Sequence, residues 1–242
     1  MQNTVQNKVQ NATVLITGAN RGIGQALVEE ALRQGAAQVY AGTRVPRTHQ
    51  DPRVTYLSLD VTDQAQIEAA AKTVESLDVL INNAGHAAYD NLSDRALLER
   101  HLAVNLFGPH AVTTAFLPQL VESHGAIVNV LSVAALASLP IIPAYSISKA
   151  AAFSMTQAQR ALLAPQGVRV HAVLTGPTDT DMSRDLDAPK ASPESVARAI
   201  LDGVAAGDEE IFPDAMSAML APTWANGAVK AMERQNAGLV AG

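Results

Sequence analysis

Residues 13–32 read TVLITGANRGIGQALVEEAL. The stretch opens on Val14-Leu15-Ile16, a short apolar run of the kind a parallel strand covered on both faces needs. It turns through Gly18, Gly22 and Gly24, then continues as an amphipathic helix with Ile23, Leu27 and Ala31 on one face and Glu29 and Glu30 towards solvent. Strand, glycine turn and helix together make a phosphate cradle. Glycines allow close backbone approach to an anion, and a helix N-terminus offers unpaired N–H groups and a positive dipole end. The spacing T-G-x-x-x-G-x-G has one more residue between its first two glycines than the common G-x-G-x-x-G fingerprint. The competing reading of this stretch alone is a glycine-rich β-α turn that binds nothing.

Composition narrows the possibilities. The chain has 242 residues, enough for one α/β domain spanning 1–242 with a full core. At 48% apolar and 17% charged residues it reads as globular. A net charge of -6 without a basic stripe argues against nucleic acid as a partner. With no cysteine there is no disulfide, thiolate metal site or cysteine nucleophile, and no metal is expected. No apolar run is long enough to span a membrane, and the polar start MQNTVQNKVQNA lacks a signal-peptide core. Residues 1–11 read as a flexible leader, and a cytoplasmic location is the default expectation.

Strand and helix patterns alternate along the rest of the chain. Strands are expected at 38–42, 54–61, 78–81, 125–132 and 168–174, with a short strand-like piece at 211–212. Helices are expected from Gln66 to Leu77, from Ser93 or Asp94 towards Leu117, from Tyr145 to about Ala164, and from Pro193 to Ala206. The fold class is therefore α/β, a single doubly wound parallel sheet of Rossmann type with helices on both faces.

In such a fold the end of the second strand meets the adenosine ribose, where an acid suits NAD and a base suits NADP. The acid is missing here. Arg44 follows Thr43, with Arg47 and Arg21 as helpers, so the pattern favours NADP(H). The competing reading makes these arginines solvated loop charges. Asn82-Asn83-Ala84-Gly85 ends the fourth strand, where open α/β sheets bind ligands, although asparagines there also tie strands together. Asn105 falls within a helical pattern where asparagine is mildly unfavourable, which is consistent with a solvent-facing residue, a helix irregularity or a functional group. Tyr145 and Lys149 are four residues apart and share a helix face. A lysine ammonium beside a phenol is expected to lower the phenol pKa. Ser132, at the end of the fifth strand, offers a hydroxyl to hold a substrate oxygen. This chemistry suits carbonyl reduction or its reverse, with a proton going to oxygen as hydride goes to carbon.

Taken in order, Thr17-Gly18-Ala19-Asn20-Arg21-Gly22-Ile23-Gly24, Asp60-Val61, Asn82-Asn83-Ala84-Gly85, Asn105, Ser132, Tyr145-x-x-x-Lys149 and Gly176 to Thr180 resemble the short-chain dehydrogenase/reductase family along nearly the whole chain. The thirteen-residue step from Ser132 to Tyr145 fits as well. The resemblance implies Tyr145 as general acid and base, and Ser132 as the group that orients the carbonyl. It implies that Lys149 lowers the Tyr145 pKa and holds the nicotinamide ribose. It implies that Asn105 keeps a helix irregularity and an ordered water for proton relay. Gly18, Asn20, Arg21, Gly22, Ile23 and Gly24 would line the pyrophosphate turn, and Arg44 the adenosine end. Asp60 and Val61 would contact adenine. Asn82, Ala84 and Gly85 would lie along the cofactor, and Gly176, Thr178 and Thr180 would face the nicotinamide.

Three positions depart from the pattern. Thr175 stands where the family usually has proline, Leu131 stands where many members have a second serine, and the tail after Ile211 lacks the usual Asp-Gly-Gly ending. A homodimer and a homotetramer are both left open. Val133, Ala134, Ala135, Leu136, Leu139, Ile141 and Ile142, with Met182 and Leu186, would form an apolar pocket, and His86 and Tyr89 would supply polar contacts. The implied activity is NADPH-dependent interconversion of an apolar ketone or aldehyde and its alcohol. The alternative is a dinucleotide-binding sensor or scaffold without turnover.

Overall fold

The computed structural model describes residues 9–45 and 47–240. Seven parallel strands form one sheet in the order β3-β2-β1-β4-β5-β6-β7. The strands are β1 Thr13–Thr17, β2 Gln38–Thr43, β3 Val54–Ser58, β4 Val79–Asn82, β5 Ala126–Val130, β6 Arg169–Val173 and β7 Glu210–Ile211. The order reverses between β1 and β4, and that switch point opens a crevice at the carboxyl ends of the strands.

Alternation along each strand builds two cores. Val14 and Ile16 face one side, where α1 (Gly22–Arg33) supplies Leu27 and Ala31 and α6 (Pro193–Ala206) supplies Val196, Ile200 and Val204. Leu15, Leu80 and Ile127 face the other, against Ile67 of α2 (Gln64–Thr73) and Val112, Phe116 and Leu120 of α4 (Gly108–Glu122). A third, smaller cluster joins Leu131 and Leu174 to Phe153 of α5 (Pro143–Leu163). Burial on both faces explains the apolar runs 14–16, 79–81 and 126–128 in β1, β4 and β5, whereas the buried Asn82 and Asn129 bond to each other.

Several expectations are corrected. The first eight residues of the expected leader lie outside the described residues. Val9, however, is buried, and Asn11 N–H donates to Gly35 O at 2.8 Å, so residues 9–11 are anchored to the end of α1. Strand β3 stops at Ser58, because Asp60 and Thr62 form their own side-chain turn beyond it. Helix α2 starts at Gln64, capped by Asp63, and ends at Thr73. The helix expected from Ser93 or Asp94 is α3 (Arg95–Leu102), capped by Asp94, joined to α4 by a π-helical turn, Ala103–Phe107. After β7 the described residues form three short helices, α7 Ala215–Ala218, α8 Ala221–Ala225 and α9 Ala228–Ala237, and a 3-10 turn, Gly238–Val240.

Candidate active site

The glycine turn between β1 and α1 is shaped by contact. Gly18 has φ +66°, and a Cβ there would lie 2.9 Å from the Ala84 Cα. A Cβ on Gly24 would lie 2.2 Å from the Gly18 carbonyl oxygen. Neither position has space for a side chain, so the turn lies flat against Asn83-Ala84-Gly85. No side chain caps α1, which leaves its first N–H groups directed at the crevice.

A cleft of about 680 Å³ runs from this turn along the strand ends to Tyr145 and Lys149. Gly18, Asn20, Arg21, Gly22, Ile23 and Gly24 line one end, with Thr43, Arg44, Asp60 and Val61 beside them. Ala84, Gly85, Tyr145, Lys149 and Thr180 line the other. The cleft-lining charges are Arg21, Arg44, Arg100 and Lys149 against Asp60 and Asp181, a positive balance on a chain that is negative as a whole. A group carrying a pyrophosphate and a further phosphate fits this donor set: an open helix N-terminus, arginines, and no carboxylate at the end of β2.

Other expected residues stand behind the lining. Asn82 is buried, and its Nδ2 donates to Thr113 Oγ1 at 3.1 Å and Asn129 Oδ1 at 2.9 Å, so it ties β4 to its neighbours. Its neighbour Asn83 reaches the cleft instead, and donates to Thr17 O at 2.9 Å. Gly176 and Thr178 also lie off the lining. The Gly176 N–H goes to Asp214, and Thr178 is buried beside Ala191. Arg47 is exposed and away from the cleft.

Asn105 sits in the π-helical turn and is buried. Its Oδ1 accepts the His86 N–H at 2.8 Å, and its Nδ2 donates to the His86 carbonyl and to Ser148 Oγ, both at 2.8 Å. The widened turn places this amide opposite the His86 backbone in the loop after β4, so the mid-helix asparagine has its reason. Ser132 follows β5, and its Oγ accepts the Ala134 N–H at 3.2 Å.

Tyr145 and Lys149 lie near the start of α5. Lys149 Nζ stands 5.7 Å from the Tyr145 ring centroid and donates to the Val130 carbonyl at 2.8 Å. Burial lowers the lysine pKa to about 8. Tyr145 is half-buried, and the protein around it pushes its pKa up to about 12, while the hydrogen bond with Ser132 pulls downward. The expected lowering of the phenol by Lys149 is therefore not what dominates: loss of solvent outweighs it. His86 stacks on His101 with ring centroids 4.7 Å apart, and His101 meets Tyr145 edge-on at 6.5 Å. Burial lowers the His86 pKa, and the charges of His101, Arg100 and Arg44 add to it.

The expected apolar pocket is redistributed. Of its residues only Met182 lines the cleft, joined by Leu131, while Ala134 is buried and Leu139 and Ile141 are exposed. Arg100 was hidden in the sequence, because a charged run on α3 resembles a solvated helix face. Asp181 was equally hidden. It lies in a polar loop and pairs with Arg21 only in three dimensions.

The class this fold and site define is a dinucleotide-binding oxidoreductase. The short chain dehydrogenase family profile matches residues 12–191, and the chain belongs to that family. It is 34% identical over 218 residues to 2-(S)-hydroxypropyl-CoM dehydrogenase 3 of Xanthobacter autotrophicus, covering 80% of this chain and 82% of that one. A short chain dehydrogenase from Burkholderia cenocepacia, solved in complex with NADP, superposes with a TM-score of 0.86 at 37% identity, covering 94% of this chain and 98% of that one. A short-chain dehydrogenase from Streptomyces avermitilis gives 0.78 at 25% identity, covering 93% and 96%. Among the described residues no helix is long and apolar enough to cross a membrane.

Proposed function

We propose that this chain interconverts an apolar ketone or aldehyde and the corresponding alcohol with NADP(H), and that Tyr145 is the general acid and base. The observation that carries the reading is Tyr145 beside a buried Lys149, with 5.7 Å from ring centroid to Nζ and both lining the cleft, and with the Ser132 side chain behind the lining against the phenol. NADPH bound there supplies the hydride. The chain's own groups manage the oxygen. Ser132 donates to the substrate oxygen and stabilises charge developing on it. Tyr145, protonated at neutral pH, gives its proton to the same oxygen. Lys149, with its pKa near 8, is the buried cation that favours the phenolate left behind. Leu131 and Met182 give the wall its apolar character. Arg44 and the absent carboxylate support NADP(H) over NAD(H), as does the NADP-bound relative.

The test is absorbance of the reduced nicotinamide, followed with NADPH or NADH and a panel of apolar ketones and aldehydes. Faster consumption with NADPH, abolished in Tyr145→Phe, is the expected result. Preference for NADH overturns the cofactor assignment and leaves the mechanism standing. Tight cofactor binding with no turnover in either direction favours the sensor reading.

A further inference from the structure

We propose that Asp214 is a positioning residue, which fixes the turn after β6 by holding the Gly176 N–H with one oxygen while it caps α7 with the other. The part of this that concerns cofactor affinity rests on the dinucleotide reading of the cleft.

The carboxylate of Asp214 is only 8% exposed and is met by four donors. Oδ1 accepts Met216 N–H at 3.1 Å and Ser217 N–H at 2.9 Å, which is an ordinary helix cap. Oδ2 accepts Ser217 Oγ–H at 2.8 Å and the Gly176 N–H at 2.7 Å. Gly176 lies 38 residues earlier in the chain, so this bond joins two segments that the helix cap alone has no need to join. A serine caps a helix as well as an aspartate does, without burying a charge. The second oxygen therefore calls for a role, and a carboxylate accepting a backbone N–H is a stronger hold than a neutral acceptor.

The approach is tight. A Cβ on Gly176 would lie 2.5 Å from Asp214 Oδ1 and 3.2 Å from the Met216 Cβ. The turn is then held on its other sides by neutral contacts. Thr175 Oγ1 donates to the Leu131 carbonyl at 3.0 Å, and Val133 N–H donates to the Thr175 carbonyl at 3.0 Å, on either side of Ser132. Thr180 packs against the glycine turn, its Cγ2 3.0 Å from where a Gly22 Cβ would be. A proline before Gly176 would stiffen this turn through its ring. Thr175 has no ring, and the Asp214 bond supplies the constraint from outside. In this way the C-terminal segment sets where Thr180 meets the cleft.

Two variants separate the Gly176 bond from the helix cap. Asp214→Ser keeps a cap acceptor and loses the reach to Gly176. Ser217→Ala weakens the cap and keeps the Gly176 bond. Amide exchange of 176–180, read on the full chain without ligand, is expected to quicken at least tenfold in Asp214→Ser and to stay as in the parent in Ser217→Ala. NADPH titration by fluorescence is expected to show about tenfold weaker binding in Asp214→Ser only, with cofactor KM rising in step and kcat within about threefold. Equal exchange at 176–180 in both variants, with similar losses of Tm, makes Asp214 a helix cap and overturns the proposal. If the parent chain binds neither NADPH nor NADH, the dinucleotide reading fails, and the exchange comparison still decides the positioning role.

Discussion

Arg21 and Asp181 face each other across the mouth of the cleft, Nη1 to Oδ2 at 3.1 Å, so the glycine turn and the loop after β6 are joined by an ion pair. Both side chains are substantially exposed, and such pairs are worth about 0–1 kcal/mol. Asp181→Asn is therefore expected to change unfolding free energy by less than about 0.5 kcal/mol. It also frees Arg21 for an anion in the cleft, so NADPH is expected to bind a few-fold more tightly. Denaturant melts and a fluorescence titration check both statements. Weaker NADPH binding would show that the pair holds the loop against the cofactor.

Lys149 gives a pH signature. Its pKa is lowered by burial from 10.5 to about 8, so between those values the unfolded chain holds a proton that the folded one lacks. Stability from this group then rises with pH across that window, by about 3 kcal/mol at the limit. Tyr145 acts oppositely. Its pKa rises to about 12, and its contribution is present below pH 10 and lost as pH climbs through 12. Lys149→Met removes the first effect. The parent is expected to gain stability relative to Lys149→Met between pH 8 and pH 10, read by urea unfolding without cofactor. A difference independent of pH would contradict the burial argument. Turnover is expected to fall at least a hundredfold in the same variant, on the proposed role of the lysine.

Asn105 makes three hydrogen bonds from inside a π-helical turn. Asn105→Ala strands the His86 N–H and carbonyl, whereas Ser148 Oγ retains its bond to the Tyr145 carbonyl at 2.7 Å. Leaving two part-buried backbone groups unpaired is expected to cost about 2 kcal/mol. Ser148→Ala, which removes one partner of Asn105, is expected to cost about 1 kcal/mol. Chemical denaturation of the two variants separates the values. Equal costs would place the weight on Ser148 and not on the His86 loop.

The parallel sheet was legible because its central strands are largely apolar on both faces, and the glycine turn because Gly18 and Gly24 admit no side chain; the order of the strands was not. The irregularity at Asn105 was legible only through the family resemblance, since an asparagine within a helical pattern fits a solvent-facing position equally well. What sequence spacing cannot carry is the contact made between distant segments. Arg100 looks like any exposed residue of α3, and its place on the cleft wall depends on how α3 crosses the strand ends. The pKa of Tyr145 was misjudged for a related reason. The spacing to Lys149 is local, but desolvation is a property of everything packed around the ring.

The tail was the least legible part, because α9 is built inside out. Val229 and Met232 are exposed, whereas Lys230 and Glu233 point inward. Lys230 is 2% exposed and meets Glu209 at 2.7 Å, Glu210 at 2.9 Å and Glu233 at 3.1 Å. Arg160 of α5 joins the same group through Glu210 at 2.8 Å and through Glu233. The helix is thus fastened to β7 and α5 by charge, and a hydrophobic period searched for in the sequence finds the wrong face. Removing one member of a buried ionic cluster leaves the opposite charges without compensation. Lys230→Met is expected to cost about 3 kcal/mol. Glu210→Gln leaves Lys230 two further carboxylates, and is expected to cost about half as much. Combining the two substitutions removes opposite charges together and is expected to cost less than the sum of the singles, a coupling that a double-mutant cycle in urea reads directly. Additive losses would mean that the cluster is a set of independent pairs, and that the tail is held instead by the packing of Trp224 of α8 on Phe153, 5.4 Å between ring centroids.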